Sequence, residues 1–246
     1  MQRTDTLSCG YKLIQDDSAF CFGIDAVLLS AFTKLKKGNR VFDLGTGNGI
    51  LPLLLSARAR ELKSAHGASE CRFTGLEVQP AAATMACESV RMNGLEGLIE
   101  IVEGNICGVR GIFPAQCADV VVSNPPYMLP SAARANSTDE KTIARHEVLC
   151  SLDDVVGAAK WLLKSNGSFF MIHRPYRLSE IFSSLEKHHL TPRRMQLVYP
   201  KIDQPPEMVL IEARPNYKPD LKIAPPLIMY GSDGEYTPEF KAYCGM

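Results

Sequence analysis

The chain has no C-x-x-C pair, no apolar run of about 18 residues and no net charge, and each gap removes a class of function. Its eight cysteines (9, 21, 71, 87, 107, 117, 150 and 244) are scattered. That spacing indicates neither a zinc site nor a disulfide framework, and reduced thiols are the default. Without a long apolar run a membrane span is not expected. The stretch Met1 to Gly10 also lacks the basic and apolar pattern of an export signal, so the expected location is the cytosol. Lysine plus arginine number 27 and aspartate plus glutamate 27, a formal net charge of +0. A partner with a phosphate backbone must therefore be met by local charge rather than by a basic excess. Four clusters are candidates: Lys34-Lys36-Lys37-Arg40, Arg58-Arg60-Lys63, Arg193-Arg194 with Lys201, and Arg214-Lys218-Lys222. Any one of them is by default a solvated face.

A chain of 246 residues buries about 70–75% of its unfolded surface on folding, enough for one sizeable core, and α/β domains of this size are often single. Apolar runs predict strands at 40–44, 72–77, 98–102, 118–123 and 167–172. They alternate with helix-like stretches at 48–60, 80–93 and 152–164, the pattern of a parallel sheet covered on both faces. Asn93-Gly94 and Asn166-Gly167 read as C-terminal caps of two of those helices. Two further strands, near 194–199 and 207–213, read as a hairpin that supplies an antiparallel edge. One domain, 1–246, is expected, with a covering segment at 1–38, a core at 39–213 and a proline-rich tail at 214–246.

The chemistry gathers in three places. Val41-Phe42-Asp43-Leu44-Gly45-Thr46-Gly47-Asn48-Gly49-Ile50 reads as a short strand, a glycine turn and the start of a helix. Glycines there let the backbone turn sharply and approach a ligand closely. The spacing misses G-x-G-x-x-G, and no Gly-Lys-Ser/Thr follows, so neither a dinucleotide fingerprint nor a phosphate-binding P-loop is present. Glu77 ends the strand that follows, where a carboxylate is placed to accept the hydroxyls of a ribose. The distance from the glycine turn is longer than usual, an excess that the polar Glu61 to Arg72 stretch explains. The third place is Ser123-Asn124-Pro125-Pro126-Tyr127, after the Val120-Val121-Val122 run. Two prolines fix φ and remove two N–H donors, so Asn124 is held stiffly. Its side-chain carbonyl and the adjacent main-chain carbonyls can converge on one NH₂ group while Tyr127 stacks on a flat substrate. The plainer reading of Pro-Pro is a rigid turn after a strand.

Taken in that order, Asp43 to Gly49, then Glu77, then Asn124-Pro125-Pro126-Tyr127, the motifs resemble the class I S-adenosylmethionine-dependent methyltransferases that modify exocyclic or amide nitrogen. The resemblance implies an α/β, Rossmann-like fold with a mostly parallel seven-stranded sheet, an antiparallel edge strand and helices on both faces. It implies S-adenosyl-L-methionine as cofactor, held by Asp43, Gly45, Thr46, Gly47, Gly49, Glu77, Val78, Asn105, Ile106 and Asn124. The catalytic residues it implies are Asn124, Pro125 and Tyr127, with no metal. Asn105 departs from the family, which more often has Asp there for the adenine amine of the cofactor, but it keeps a carbonyl acceptor.

Ile14-Gln15-Asp16, Phe20 to Leu29, Arg145-His146-Glu147 and Gly234 to Glu239 are similar to the tRNA adenine-N6 methyltransferase family acting on valine tRNA, and that likeness covers nearly the whole chain. It implies a tRNA partner and methylation of the adenine beside the anticodon. Asn-Pro-Pro-Tyr also serves a family that methylates a glutamine amide in peptide release factors. Those enzymes carry a long helical N-terminal domain, whereas about 40 residues precede the first core strand here. Methylation of guanine N2 in ribosomal RNA is a comparable alternative, although such enzymes usually have Phe in place of Tyr127. A non-catalytic cofactor-binding adaptor is a third, and it has no need of Asn-Pro-Pro-Tyr. The polar stretch Ser131 to Glu147 reads as a lid, with a plain surface loop equally open. His146, His173 and the pair His188-His189 read as structural or capping residues.

Overall fold

Val41 and Phe42 point to opposite faces of one sheet, and that two-residue alternation organises the molecule. In the computed structural model residues 2–16, 23–61, 70–125, 150–216, 218 and 220–245 are described. Val41, Val120, Val122, Phe170, Ile172 and Leu210 enter one apolar cluster. Phe42, Leu44, Val121, Phe169, Met171, Val209 and Ile211 enter the other. The strands that carry them are β3 (Arg40–Leu44), β6 (Ala118–Ser123), β7 (Leu163–His173) and β9 (Met208–Pro215). Strands apolar on both faces must be covered on both.

The cover comes from helices of matching polarity. On the first face lie α1 (Ile24–Phe32), α2 (Ile50–Glu61) and α3 (Pro80–Met92). On the second lie α4 (Val109–Ile112), α5 (Leu152–Leu162) and α6 (Leu178–Lys187). Proline at the first position of α3 starts that helix without losing a hydrogen bond. Asn93-Gly94 closes it as expected: Gly94 sits at φ +63 and the Leu95 N–H returns to the Val90 carbonyl at 3.1 Å. Ser151 starts α5 through a capping box with Asp154.

The sheet is completed by β4 (Arg72–Glu77), β5 (Ile99–Glu103) and β8 (Leu190–Tyr199), in the order β8-β9-β7-β6-β3-β4-β5. All neighbours are parallel except β9, which runs antiparallel to both β7 and β8. The expected hairpin therefore forms, and its reversed strand lies one place inside the edge. Seven strands were expected, and the sheet has nine among the described residues. The two extra ones, β10 (Lys222–Ile223) and β11 (Leu227–Ile228), come from the proline-rich tail and pair with β8. They are two residues each because prolines 225 and 226 interrupt the ladder between them. The tail ends in α7 (Pro238–Cys244), where Phe240 is fully buried in the first cluster and Tyr230, Tyr236 and Phe240 stack in sequence.

Asn166-Gly167 is not a helix cap. The helix stops at Leu162, Leu163 is already extended, and both residues lie within β7. Pairing with β6 jumps from Ala118–Leu163 to Val120–Ser168, so the extra residues bulge out between the two registers. Gly167 is needed there for space, because a Cβ would stand 2.8 Å from the Leu163 side chain and 3.1 Å from the Asp119 carbonyl.

The N-terminal segment forms a separate hairpin, β1 (Gln2–Thr6) with β2 (Lys12–Asp16), laid along α3. Asn93 exchanges two hydrogen bonds with the Lys12 backbone, at 2.8 and 2.7 Å, and the Ile14 N–H donates to Ser89 Oγ at 3.0 Å. Among the described residues no helix is long and apolar enough to cross a membrane.

Candidate active site

Four adjacent parallel strands, in the order β6-β3-β4-β5, put their carboxyl ends side by side, and five of the expected site residues follow from that alone. Asp43 stands at the end of β3, Glu77 and Val78 at the end of β4, Asn105 just past β5, and Asn124 just past β6. Ligands of open α/β sheets sit outside this rim.

The glycine turn is built by backbone geometry. Gly45, Gly47 and Gly49 have φ of +76, +57 and +84, a region that costs other residues about 1–2 kcal/mol. Only Gly49 is also crowded: a Cβ would lie 3.1 Å from that of Ala86 in α3. The Gly45 and Thr46 amides both donate to the Leu76 carbonyl, at 2.9 and 3.0 Å, which ties the turn to the next strand. Gly75 lets Thr46 pack there, since a Cβ at 75 would meet the Thr46 side chain at 2.8 Å. Gly75 carries a signal of its own in the sequence, a glycine inside a strand next to the glycine turn.

Glu77 is 4% exposed, so it is no ordinary surface carboxylate. Its two oxygens accept the Gly47 N–H at 2.8 Å and the Gln79 N–H at 2.9 Å. The carboxylate is thereby aimed and stiffened. Asp43 is buried as well, and neither its two oxygens nor the Thr46 hydroxyl has a hydrogen-bond partner among the described residues. Burial, with a smaller push from Glu77 and against the neighbouring Thr46 hydroxyl, raises the Asp43 carboxyl to about 7. A polar group bound here would complete their bonding.

Beyond β5, Asn105 caps a short 3₁₀ turn, its Oδ1 accepting the Cys107 N–H at 2.8 Å. Ile106 and Val78 are half-buried on either side of the β4–β5 rim. Beyond β6, Ser123 Oγ donates to the Leu44 carbonyl at 2.8 Å and fastens the start of the Asn-Pro-Pro-Tyr motif to the strand that feeds the glycine turn. Asn124 and Pro125 are half-buried at that junction. Pro126, Tyr127, the Ser131 to Glu147 stretch with His146, and Phe20 to Phe22 lie outside the described residues.

β7 is the other neighbour of β6, and it ends in His173, one of the histidines that the sequence suggests are structural. His173 is buried, accepts the Arg174 N–H on Nδ1 at 2.8 Å, and is pushed down to about 3, by burial first and by the Arg177 cation next. A neutral ring of that kind is a structural part and not a proton acceptor. Just past it Tyr176 is 64% exposed. The rule that rim residues follow strand ends would have found it.

Three of the four basic clusters are at least partly committed inside the molecule. Arg58 donates to the Thr33 carbonyl at 3.1 Å and Arg60 to Tyr11 Oη at 2.9 Å. Arg194 and Arg214 flank the buried Glu212 at 3.2 and 3.0 Å, and Arg194 also lies 3.7 Å over the Phe32 ring. The fourth, Lys34 to Arg40, is exposed but leads into the first residue of β3, at the end of the sheet opposite the rim.

The sequence model of the methyltransferase small domain family matches residues 22–190. The tRNA1(Val) (adenine(37)-N6)-methyltransferase of Proteus mirabilis is 28% identical over 90% of this chain and 84% of its own. The Bacteroides fragilis protein of the same name is 29% identical over 82% and 80%. Among solved structures, a predicted O-methyltransferase from Agrobacterium tumefaciens superposes with a TM-score of 0.71, at 20% identity, over 90% of this chain and 95% of its own. Geranyl diphosphate C-methyltransferase from Streptomyces coelicolor, in complex with Mg²⁺, geranyl diphosphate and S-adenosyl-L-homocysteine, gives 0.55 at 13% identity, over 76% of each chain. The structural likenesses show the fold, and a fold by itself does not choose the acceptor atom. The match over residues 22–190 decides the family: the chain belongs to the methyltransferase small domain family, and it is a methyltransferase.

Proposed function

We propose that this chain transfers a methyl group from S-adenosylmethionine to N6 of an adenine in tRNA, the base beside the anticodon of valine tRNA, in the cytoplasm. The observation that carries the reading is the junction of β6 with β3, where Ser123 bonded to the Leu44 carbonyl brings Asn124 and Pro125 beside the glycine turn. The names of the curated relatives support the tRNA and the base.

The residues fit the cofactor. Gly45, Gly47 and Gly49 leave the turn bare, the open oxygens of Asp43 suit a cationic amino group, and Glu77 retains lone pairs for a ribose diol beside its two amide bonds. Val78 and Ile106 offer apolar flanks for a purine, and Asn105 an acceptor for its amine. Bound S-adenosylmethionine supplies an electrophilic methyl group on a sulfonium centre.

The amine of adenine is a poor nucleophile because its lone pair is delocalised into the ring. Acceptor hydrogen bonds from the Asn124 side-chain carbonyl and the Pro125 carbonyl hold its two N–H groups and favour a more tetrahedral nitrogen. Holding both reactants at near-attack distance then supplies much of the rate. After transfer the nitrogen loses a proton to solvent. Tyr127 stacks on the base, which leaves a loop at less cost than it leaves a duplex. No nucleophilic cysteine takes part.

Asn124→Ala tests this directly. Cofactor binding by calorimetry persists and methyl transfer to tRNA falls by about two orders of magnitude or more. Near-normal turnover removes the Asn-Pro-Pro-Tyr reading.

A further inference from the structure

The spacing of the cysteines points away from a metal site, yet the fold brings two of them to one carboxylate. Cys107 lies on the 3₁₀ turn after β5, Cys150 just before Ser151, the N-cap of α5, and Asp154 in the first turn of that helix. The ligand atoms of the three stand within 4.8 Å of one another. We propose that Cys107, Cys150 and Asp154 bind a thiophilic divalent cation of the zinc type, with the fourth coordination position open to water.

The donor set selects the ion. Two thiolates and one carboxylate favour a soft or borderline metal over Mg²⁺ or Ca²⁺, which take oxygen ligands. Zinc bonds of about 2.0–2.3 Å in a tetrahedron place ligand atoms about 3.3–3.8 Å apart, and a contraction of about 1 Å or less takes the trio there.

The surroundings orient two of the three ligands. Asp154 Oδ2 accepts the Ser151 N–H at 2.9 Å and the Ser151 hydroxyl at 2.6 Å, which fixes the carboxylate plane. The Cys107 N–H donates to Asn105 Oδ1 at 2.8 Å, which fixes the turn. Burial and then Asp154 raise the Cys107 thiol against a hydrogen bond with Cys150 that lowers it, and burial, Cys107 and Asp154 raise the Cys150 thiol, so both favour the protonated form in the absence of a cation. Binding breaks two S–H bonds, forms two metal–sulfur bonds and releases two protons to solvent.

The test uses the full reduced chain, stripped by chelator and kept in a non-thiol reductant. Zn²⁺ is titrated against a chromophoric zinc chelator, and Co²⁺ is bound in parallel for its spectrum. One equivalent of zinc binds, with proton release in weak buffer. The cobalt form shows thiolate-to-metal charge transfer and the intense visible bands of tetrahedral geometry. Cys107→Ser and Cys150→Ser each weaken zinc binding by about a hundredfold and Asp154→Asn by about tenfold, while Cys9→Ser and Cys87→Ser change nothing. The cobalt spectrum of the unaltered chain keeps the proposal open to refutation should a variant fail to fold. Zinc affinity equal to that of the Cys107→Ser/Cys150→Ser double variant overturns it. So does a cobalt spectrum without sulfur charge transfer, or a chain that takes up no metal and instead joins Cys107 to Cys150 under mild oxidation.

Discussion

The Gly47 N–H donates to Glu77 Oε2 across 30 residues, at 2.8 Å, so the glycine turn and the carboxylate of the next strand are one rigid unit. Glu77 also takes the Gln79 N–H on its other oxygen. Glu77→Gln removes the charge while keeping the shape. The expected loss is about 1.5–3 kcal/mol of cofactor binding, about ten- to hundredfold in Kd by calorimetry. Unchanged affinity contradicts the ribose role.

Gly49 has two reasons to be glycine, whereas Gly45 has one. Both have positive φ, but only at 49 does a Cβ run into Ala86, at 3.1 Å. Gly45→Ala is expected to cost about 1–2 kcal/mol of stability in urea unfolding. Gly49→Ala should exceed it and also lower the melting temperature, because α3 must shift. Equal losses would show that α3 gives way freely.

The Asp43 carboxyl makes stability fall with rising pH. Its folded value of about 7 exceeds the ordinary 3.8, so between those values the folded chain holds a proton that the unfolded chain has lost. The contribution is present below about pH 4 and is lost as pH climbs to about 7, up to about 4 kcal/mol. Asp43→Asn flattens that part of the curve of unfolding free energy against pH. A cationic amino group at Asp43 favours the carboxylate, so cofactor affinity rises between about pH 6 and 7.5 in the parent chain and not in the variant. A parent and variant with parallel profiles would contradict both statements.

Tyr176 is exposed next to the Asn124 rim and plays no part in the core. If the RNA crosses the end of β7, Tyr176→Ala raises KM for tRNA several-fold and leaves kcat and the melting temperature close to the parent values. An unchanged KM would place the RNA elsewhere.

Much of this was legible because it is local. The runs 40–44, 72–77 and 118–123 match β3, β4 and β6 to the residue, since short apolar runs with breaker residues such as Gly45, Pro80 and Asn124 shortly after them carry much of their own limits. The carboxyl-end rule then collects Asp43, Glu77, Asn105 and Asn124 without any tertiary information. What failed depended on neighbours that spacing does not reveal. Asn166-Gly167 has a helix cap's composition but is set by the crowding of Asp119 and Leu163. Arg194 and Arg214 look like surface charge until the buried Glu212 is seen between them. Cys107 and Cys150 are brought together only because the 3₁₀ turn after β5 packs against α5, and no local pattern encodes that.

The most direct test is to supply labelled S-adenosylmethionine and the purified chain to total tRNA, ribosomal RNA and release-factor fractions, then digest the labelled material to nucleosides and amino acids. The label is expected in tRNA as N6-methyladenosine, from the fragment carrying the anticodon of valine tRNA, and to vanish with Asn124→Ala. Label recovered as N-methylglutamine in protein, or as N2-methylguanosine in ribosomal RNA, would contradict the account.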